Sequence, residues 1–318
     1  LRISTELYAA LDEFLKAKKG FSASDLIAAG QHMVKILQDR ANDRLRWMGR
    51  VVREHNVRRI VRTYYKYHPT IEGNPDDFIK TIPPNATREN VLALIMQHAD
   101  LLIEQTMTFV AEDISIAAGL TAGVMRRVLN DLSKIPGDLK AQNPEHFFMG
   151  NPIWEFPVIN LGDRYLCVIP QAIFSHIHRI MHRVAKEADV LPQLESRRSR
   201  YLEEKVAHLL ASSFATGTLR NNTRWRLDQV EYETDHLLLI DKIALIVEDK
   251  SHSLTERGLR GAPERVREHV RDLLESPSEQ SARLERVILR AKSNDGEAIA
   301  SLAPFNLPFS EVERIIRI

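Results

Sequence analysis

The stretch "LLLIDKIALIVEDKSHS", residues 237–253, gives the clearest structural signal in the C-terminal part of this chain. Two apolar runs of strand length stand on either side of the dipeptide Asp241–Lys242, which indicates a β-hairpin with a two-residue turn. The second run ends in a glutamate, an aspartate and a lysine at 248–250. Charged side chains end a buried strand when they pair with one another, contact water or bind a ligand. This strand end is therefore a candidate functional site.

The two-residue turn fixes the register of the hairpin. With that turn, Asp235 on the first strand lies directly opposite Glu248 on the second. Because side chains alternate between the two faces of a strand, Asp235, Glu248 and Lys250 share one face while Asp249 points to the other. A three-residue turn would break this register.

The predicted trio of side chains has a specific chemistry. Two carboxylates that face each other across a sheet repel, and a shared proton, a neighbouring cation or a bound metal must offset the repulsion. Mg²⁺ favours a few carboxylates together with waters and phosphate oxygens, and a lysine beside them can orient an attacking water. The trio therefore suits metal-dependent phosphodiester hydrolysis. The alternative is structural: Glu248 and Lys250 form a solvated strand end, and Asp235 caps its neighbour.

Periodicity divides the chain into three parts and predicts an α+β fold. Residues 1–149 form a helical domain, and residues 150–192 form a connecting region with a β-hairpin in "IWEFPVINLGDRYLCVIP" and a helix after it. Residues 189–199, "DVLPQLESRRS", are interpreted as a linker. The last domain, 193–318, is predicted to contain the following elements: a helix at 197–214, strands near 224–232, 235–240 and 243–250, helices around 263–274 and 278–291, and a strand at 309–318.

The motif around the hairpin resembles a known signature. "ETD" at 233–235, an apolar strand, and "VEDK" at 247–250 are similar to the signature of the PD-(D/E)XK nuclease superfamily. The restriction-endonuclease-like core of that superfamily is α-β-β-β-α-β, which agrees with the order predicted from Arg197 to Ile318. The resemblance covers somewhat over a third of the chain. Thr234 stands where the signature has proline, a departure that the superfamily tolerates.

The resemblance implies a role for each residue of the motif. It implies that Asp235 and Glu248 ligate Mg²⁺ or Mn²⁺ and that the backbone carbonyl of Asp249 is a further protein ligand. It also implies that Lys250 orients or polarises the attacking water. Many members of the superfamily add a glutamate from the first core helix. Glu203 flanks the apolar stripe of that helix and is the candidate here, as an auxiliary metal ligand or as an ordinary charge at the edge of the stripe.

Two basic segments are candidates for binding nucleic acid. Arg257 and Arg260 follow the motif in a stretch with two glycines, which predicts a loop that could approach a phosphate backbone. The earlier segment "VVREHNVRRIVRTYYKYH", residues 51–68, mixes basic and aromatic side chains, a combination that can bind nucleic acid. Tyrosines at this spacing are more typical of helix packing, so both interpretations of the segment stay open.

Composition excludes several other classes of protein. With 44% hydrophobic and 27% charged residues, the chain has ordinary globular composition, and no apolar stretch reaches the length of a membrane span. We therefore expect a cytoplasmic protein without a membrane partner. A net charge of +1 gives no global attraction to nucleic acid, so such binding would need a local patch. The single cysteine, Cys167, excludes an internal disulfide and a multi-cysteine zinc site.

These observations predict a metal-dependent nuclease that acts on DNA. The resemblance implies a role in prokaryotic defence, antiviral defence included, or in DNA processing. The helical N-terminal region would present substrate or bind a protein partner, and a homodimer is compatible with it. One alternative is an inactive nuclease-fold scaffold or nucleic-acid-binding module. Another is a helical interaction protein whose strand-end charges are structural.

Overall fold

A computed structural model of the chain describes residues 1–68 and 71–318. It forms two compact units, Leu1–Leu191 and Pro192–Ile318. Both units combine helices with a small four-stranded sheet, so the expected mixture of helices and strands is confirmed. Of the predicted connecting region, 150–192, all residues up to Leu191 lie in the first unit.

The first unit is mainly helical. Ser22 and Asp25 form a reciprocal capping box that begins the longest helix, and Asn56 caps the helix after it. Among the residues that the structure describes, no helix of either unit is long and apolar enough to cross a membrane. The helices of this unit are α1 Arg2–Tyr8, α2 Asp12–Lys19, α3 Ala23–Arg53, α4 Val57–Tyr67, α5 Pro75–Thr81, α6 Arg88–Leu101, α7 Ile103–Met107, α8 Ala111–Ala118, α9 Ala122–Asp131, α10 Phe147–Gly150, α11 Ala172–Ser175 and α12 Ile177–Glu187.

The sheet of the first unit contains the predicted hairpin. Its strands are β1 Thr108–Phe109, β2 Ser133–Lys134, β3 Val158–Asn160 and β4 Tyr165–Leu166, in the spatial order β1-β4-β3-β2. β3 and β4 pair antiparallel, as expected, across a turn in which Gly162 has a φ of +99°. β1 and β2 were not predicted, because a two-residue strand is too short to show an alternating pattern.

The second unit begins with a long helix in place of the linker that was predicted at 189–199. α13 runs over Leu191–Ser213 without a break, so the linker at 189–199 is wrong. Pro192 misled the prediction, although proline in the first turn of a helix removes only a donor that has no partner there. The other elements of this unit are β5 Thr218–Leu227, β6 Val230–Ile240, β7 Ile243–Val247, α14 Glu256–Leu259, α15 Pro263–Val270, α16 Ser276–Lys292, α17 Gly296–Leu302 and β8 Arg314–Arg317.

The hairpin of β6 and β7 has the predicted register. Ile240 pairs with Ile243 across the two-residue turn, and the ladder continues to the pair of His236 with Val247. The strand predicted at 224–232 is wrong, because it runs through a second turn at Asp228 and Gln229, whose φ angles are 49° and 63°. Consecutive positive φ angles are typical of tight hairpin turns, and no glycine marks this one.

Helices cover both faces of the second sheet, whose order is β5-β6-β7-β8 with β8 parallel to β7. Leu237 and Leu239 face α16 and α17, whereas Leu238 and Leu245 face Leu210 of α13. This double coverage explains why β6 and β7 are continuous apolar runs, since alternation appears only where one face meets water. The helices predicted at 263–274 and 278–291 are α15 and α16, which a π-helical turn, Arg271–Glu275, joins without a gap.

Cys167 of the first unit is a buried thiol. It is inaccessible to solvent, and burial raises its pKa to about 12. A thiol with this pKa stays protonated at neutral pH and is a poor nucleophile.

Candidate active site

The structure brings three of the predicted side chains together where β6 and β7 diverge. The Lys250 Nζ lies 3.6 Å from Asp235 Oδ2 and 3.8 Å from Glu248 Oε2. The backbone N–H of Asp249 donates a 2.8 Å hydrogen bond to Asp235 Oδ2, which fixes the aspartate against the end of the neighbouring strand. The Glu248 N–H donates to the carbonyl of Ile318 beside it. The two carboxylates and the lysine thus share one face, as the register requires.

Glu248 is the most buried member of this group. Its side chain is 2% exposed, compared with 20% for Asp235 and 28% for Lys250. Burial and then the nearby Asp235 carboxylate raise the pKa of Glu248 to about 8, although the Lys250 ammonium acts in the opposite direction. One lysine therefore does not fully balance two carboxylates, and a further cation at this position would favour the ionised form of Glu248.

The side chain of Asp249 lies on the opposite face, in a buried polar chain that the sequence analysis missed. Its Oδ2 is 2.9 Å from His236 Nε2, and His236 Nδ1 is 2.9 Å from the side-chain oxygen of Asn221. His236 is 1% exposed and the Asp249 side chain is 7% exposed. The predicted register could have found this contact, because it places His236 and Asp249 on one face of neighbouring strands.

Glu203 reaches the same region from α13. Its Oε2 accepts a 3.3 Å hydrogen bond from the side-chain nitrogen of Asn222. Asn222 has a left-handed backbone, with a φ of 47°, and interrupts the ladder of β5 and β6 opposite Asp235. The neighbouring Glu204 is exposed and pairs instead with Arg197. Glu203 is thus turned toward the sheet, and an asparagine in a strained backbone holds it there.

Residues of α13 also hold the chain just after the lysine. The Arg198 guanidinium donates a 2.8 Å hydrogen bond to the carbonyl of Ser251, and the hydroxyls of Ser199 and Ser251 are 2.9 Å apart. Between this helix and the strand end lies a cleft of about 780 Å³. The buried Glu248 is not among the residues that line the cleft. The cleft is lined by Pro192, Glu195, Ser196, Arg198, Ser199, Glu203, Asp235, Asp249, Lys250, Ser251, His252 and Ser253.

The donor set fits a hard divalent cation that keeps much of its water. Among the described residues, no three histidine, cysteine or carboxylate side chains converge closely enough to hold a metal ion, so Glu203 does not complete such a group. The protein's share would be the two carboxylates of Asp235 and Glu248. Asp249 could add only its carbonyl, since its carboxylate is bonded on the other face. Mg²⁺ is commonly bound by one or two carboxylates with several waters and substrate phosphate.

No protein family, curated protein or solved structure matches this chain. The resemblance to the PD-(D/E)XK signature rests on the short motif and on the order of the elements around it.

Arg257 and Arg260 lie outside the cleft lining. Both are exposed, and Arg257 belongs to the short helix α14. The loop predicted for this stretch is therefore wrong in part. Gly258 lies within α14 and against the buried ring of His269, where an added Cβ would lie 2.5 Å from a ring carbon, so the close approach requires a glycine.

Proposed function

We propose that the second unit is a metal-dependent nuclease of the PD-(D/E)XK type that hydrolyses phosphodiester bonds of DNA. One observation carries the proposal: Asp235, Glu248 and Lys250 lie on one face, at the end of two buried strands and beside a polar cleft. The order of one helix, three antiparallel strands, helices and a parallel fourth strand supports a restriction-endonuclease-like fold. A role in prokaryotic defence or DNA processing belongs to the same proposal.

Each residue has a distinct role in this reaction. Asp235 and Glu248 would hold Mg²⁺ or Mn²⁺, with the carbonyl of Asp249 as a further ligand. The bound ion supplies Lewis-acid polarisation of the phosphate and lowers the pKa of a water molecule. Lys250 donates hydrogen bonds that orient the attacking water, and its positive charge stabilises the charge that develops on the phosphate oxygens. Glu203 lines the cleft, and a hydrogen bond from Asn222 holds its carboxylate in place there.

Cleavage and metal binding should respond differently to two substitutions. Lys250→Ala should lower the cleavage rate by about a hundred- to a thousand-fold, the usual effect of removing one electrostatic stabiliser. It should leave metal affinity intact or raise it, because the ammonium repels the cation. Asp235→Ala should lose both properties, since too few hard ligands would remain. Lys242→Ala is the matched control, because Lys242 is an exposed lysine at the turn of the same hairpin.

The experiment incubates plasmid and linear DNA with the protein in Mg²⁺, Mn²⁺ or EDTA, beside calorimetric titration of Mn²⁺. RNA of the same length serves as a second substrate. Cleavage of DNA at the parent rate by Lys250→Ala would show that this strand end is not the catalytic site. Binding of DNA without cleavage in either metal would instead favour the inactive nucleic-acid-binding module.

A further inference from the structure

Positive charge is concentrated in one short part of the first unit. Residues 44–68 contain eight arginines and lysines and a single carboxylate, Glu54, although the whole chain has a net charge of only +1. We call this segment, which covers the last turns of α3 and all of α4, the basic hairpin. A solvated helix normally alternates the signs of its charges, whereas α4 carries no carboxylate.

Packing uses only one face of α4. Ile60, Val61 and Tyr64 are buried against Val51 of α3 and against α6. The ring of Tyr64 also packs in a tilted arrangement against Trp47, with 5.7 Å between the ring centres, so helix packing explains this tyrosine. The opposite face is exposed and carries four cations. They are Arg58, Arg59, Arg62 and Lys66.

Most of these cations lack a carboxylate partner. Arg62 pairs with Asp76, but among the residues that the structure describes Arg53, Arg58, Arg59 and Lys66 pair with no acidic side chain. Four exposed cations close together repel one another, and this repulsion lowers the stability of the isolated protein. An anionic ligand would offset the repulsion.

Two of these cations, Arg53 and Lys66, line a small concave surface together with Arg50 and the ring of Tyr67. The Arg50 guanidinium lies 5.0 Å from the centre of the half-buried Tyr67 ring and donates a hydrogen bond to its hydroxyl, and the Lys66 ammonium lies 5.8 Å from the same ring. Thr63 donates a hydrogen bond to Glu54, the one carboxylate within the basic hairpin. The pocket has a volume of about 290 Å³ and is lined by Arg50, Arg53, Glu54, Thr63, Lys66 and Tyr67.

We propose that the basic hairpin binds the phosphate backbone of nucleic acid, without reading its sequence. A regular array of phosphates is the ligand that several unpaired cations on one helical face fit best, and release of condensed counterions drives such binding. Tyr67 offers a ring on which an unpaired base or a sugar can pack. The site lies in the first unit, and it requires neither a metal nor cleavage.

Binding of a fluorescein-labelled DNA duplex to the full chain tests the proposal. Fluorescence anisotropy is measured in EDTA between 50 and 200 mM salt, with the parent and with the triple variant Arg53→Ala/Arg59→Ala/Lys66→Ala. Each lost phosphate contact should reduce the slope of log K against log salt by about 0.9, so the triple variant should lose about two to three units of slope. Its affinity at 50 mM salt should fall at least tenfold.

The matched control removes the same charge elsewhere in the first unit. Lys16, Lys18 and Lys35 are exposed lysines of α2 and α3, and the triple variant Lys16→Ala/Lys18→Ala/Lys35→Ala should keep the parent's slope. Equal losses in both triple variants, or no loss in either, would overturn the proposal. So would binding to anionic lipid vesicles but not to DNA.

The outcome is separable from that of the proposed nuclease activity. Binding is measured in EDTA, where the proposed nuclease site has no metal and cuts no DNA, so a loss of cleavage cannot be mistaken for a loss of phosphate contacts at the basic hairpin. A chain that binds DNA through the basic hairpin but never cleaves it would support this inference and contradict the nuclease.

Discussion

Replacing Glu248 by glutamine should stabilise the metal-free protein, and more so as the pH rises. The pKa of Glu248 is about 8 in the folded state against an ordinary value of 4.5. Between these values the unfolded chain has lost the proton that the folded chain keeps, so the free energy of unfolding falls as the pH increases. The fall is at most about 1.4 kcal/mol for each pH unit, or about 5 kcal/mol over the whole window. Glutamine has the same shape and no proton to lose.

The assay needs a probe of the second unit alone. Trp225 is 3% exposed and belongs to the core of the second sheet, so its fluorescence changes when that unit unfolds. Replacing Trp47 and Trp154 by phenylalanine removes the other two tryptophans of the chain. Urea unfolding in EDTA at pH 5 and pH 8 then gives the stability of the parent and of Glu248→Gln. We expect a small difference at pH 5 and a gain of about 2–5 kcal/mol for the variant at pH 8.

Glu233→Gln is the matched control, because Glu233 lies on the neighbouring strand β6 but is 45% exposed and pairs with Arg224. An exposed ion pair contributes about 0–1 kcal/mol, so this variant should differ little from the parent at either pH. If the stability of Glu248→Gln relative to the parent does not increase between pH 5 and pH 8, then Asp235 and Glu248 are both ionised in the folded protein without a cost in stability. That result would show that the site does not favour an added cation.

Three further substitutions test the packing around the site, with urea unfolding followed by Trp225 fluorescence as the measurement. Phe305→Ala removes a fully buried ring from the core cluster on the α17 side of the sheet and should cost about 3–5 kcal/mol; a loss below 1 kcal/mol would contradict that packing. His236→Phe keeps the bulk but leaves the Asp249 carboxylate without its partner, so we expect a loss of about 1–3 kcal/mol, and unchanged stability would show that the bond is dispensable. Asp228→Val places a β-branched residue at a φ of 49° and should cost about 1–2 kcal/mol, whereas Asp228→Gly should be tolerated.

The sequence was most informative where both the pattern and the turn pointed to one structure. The apolar runs of β6 and β7 leave only a two-residue connection, and that connection fixed the register that brings Asp235 and Glu248 together. The turn at Asp228 and Gln229 carries neither glycine nor asparagine, so its left-handed backbone could not be anticipated. The start of α13 was missed for a similar reason, because Pro192 signals a break unless it occupies the first turn of a helix.

The contacts that support the site were harder to predict than the site itself. Asn222, which holds Glu203, has a left-handed backbone within β5. No pattern of polar and apolar residues predicts that conformation. Arg198 and Ser199 reach the carbonyl and hydroxyl of Ser251 from a helix far away along the chain, and such pairs depend on how the helix packs on the sheet. The contact of His236 with Asp249 was also not predicted, although the predicted register places the two residues on one face of neighbouring strands.

Alternation along residues 248–250 lets one strand end serve both the fold and the proposed chemistry. Glu248 and Lys250 turn to one face, while Asp249 between them bonds to His236 on the other. The Asp249 amide also donates to Asp235, so the backbone between the two functional side chains is held from both faces of the sheet. Reactive groups need such support, because small displacements of their atoms cost much of the rate. A substitution that frees Asp249 should therefore disturb Asp235, Glu248 and Lys250 together, although it touches none of their side chains.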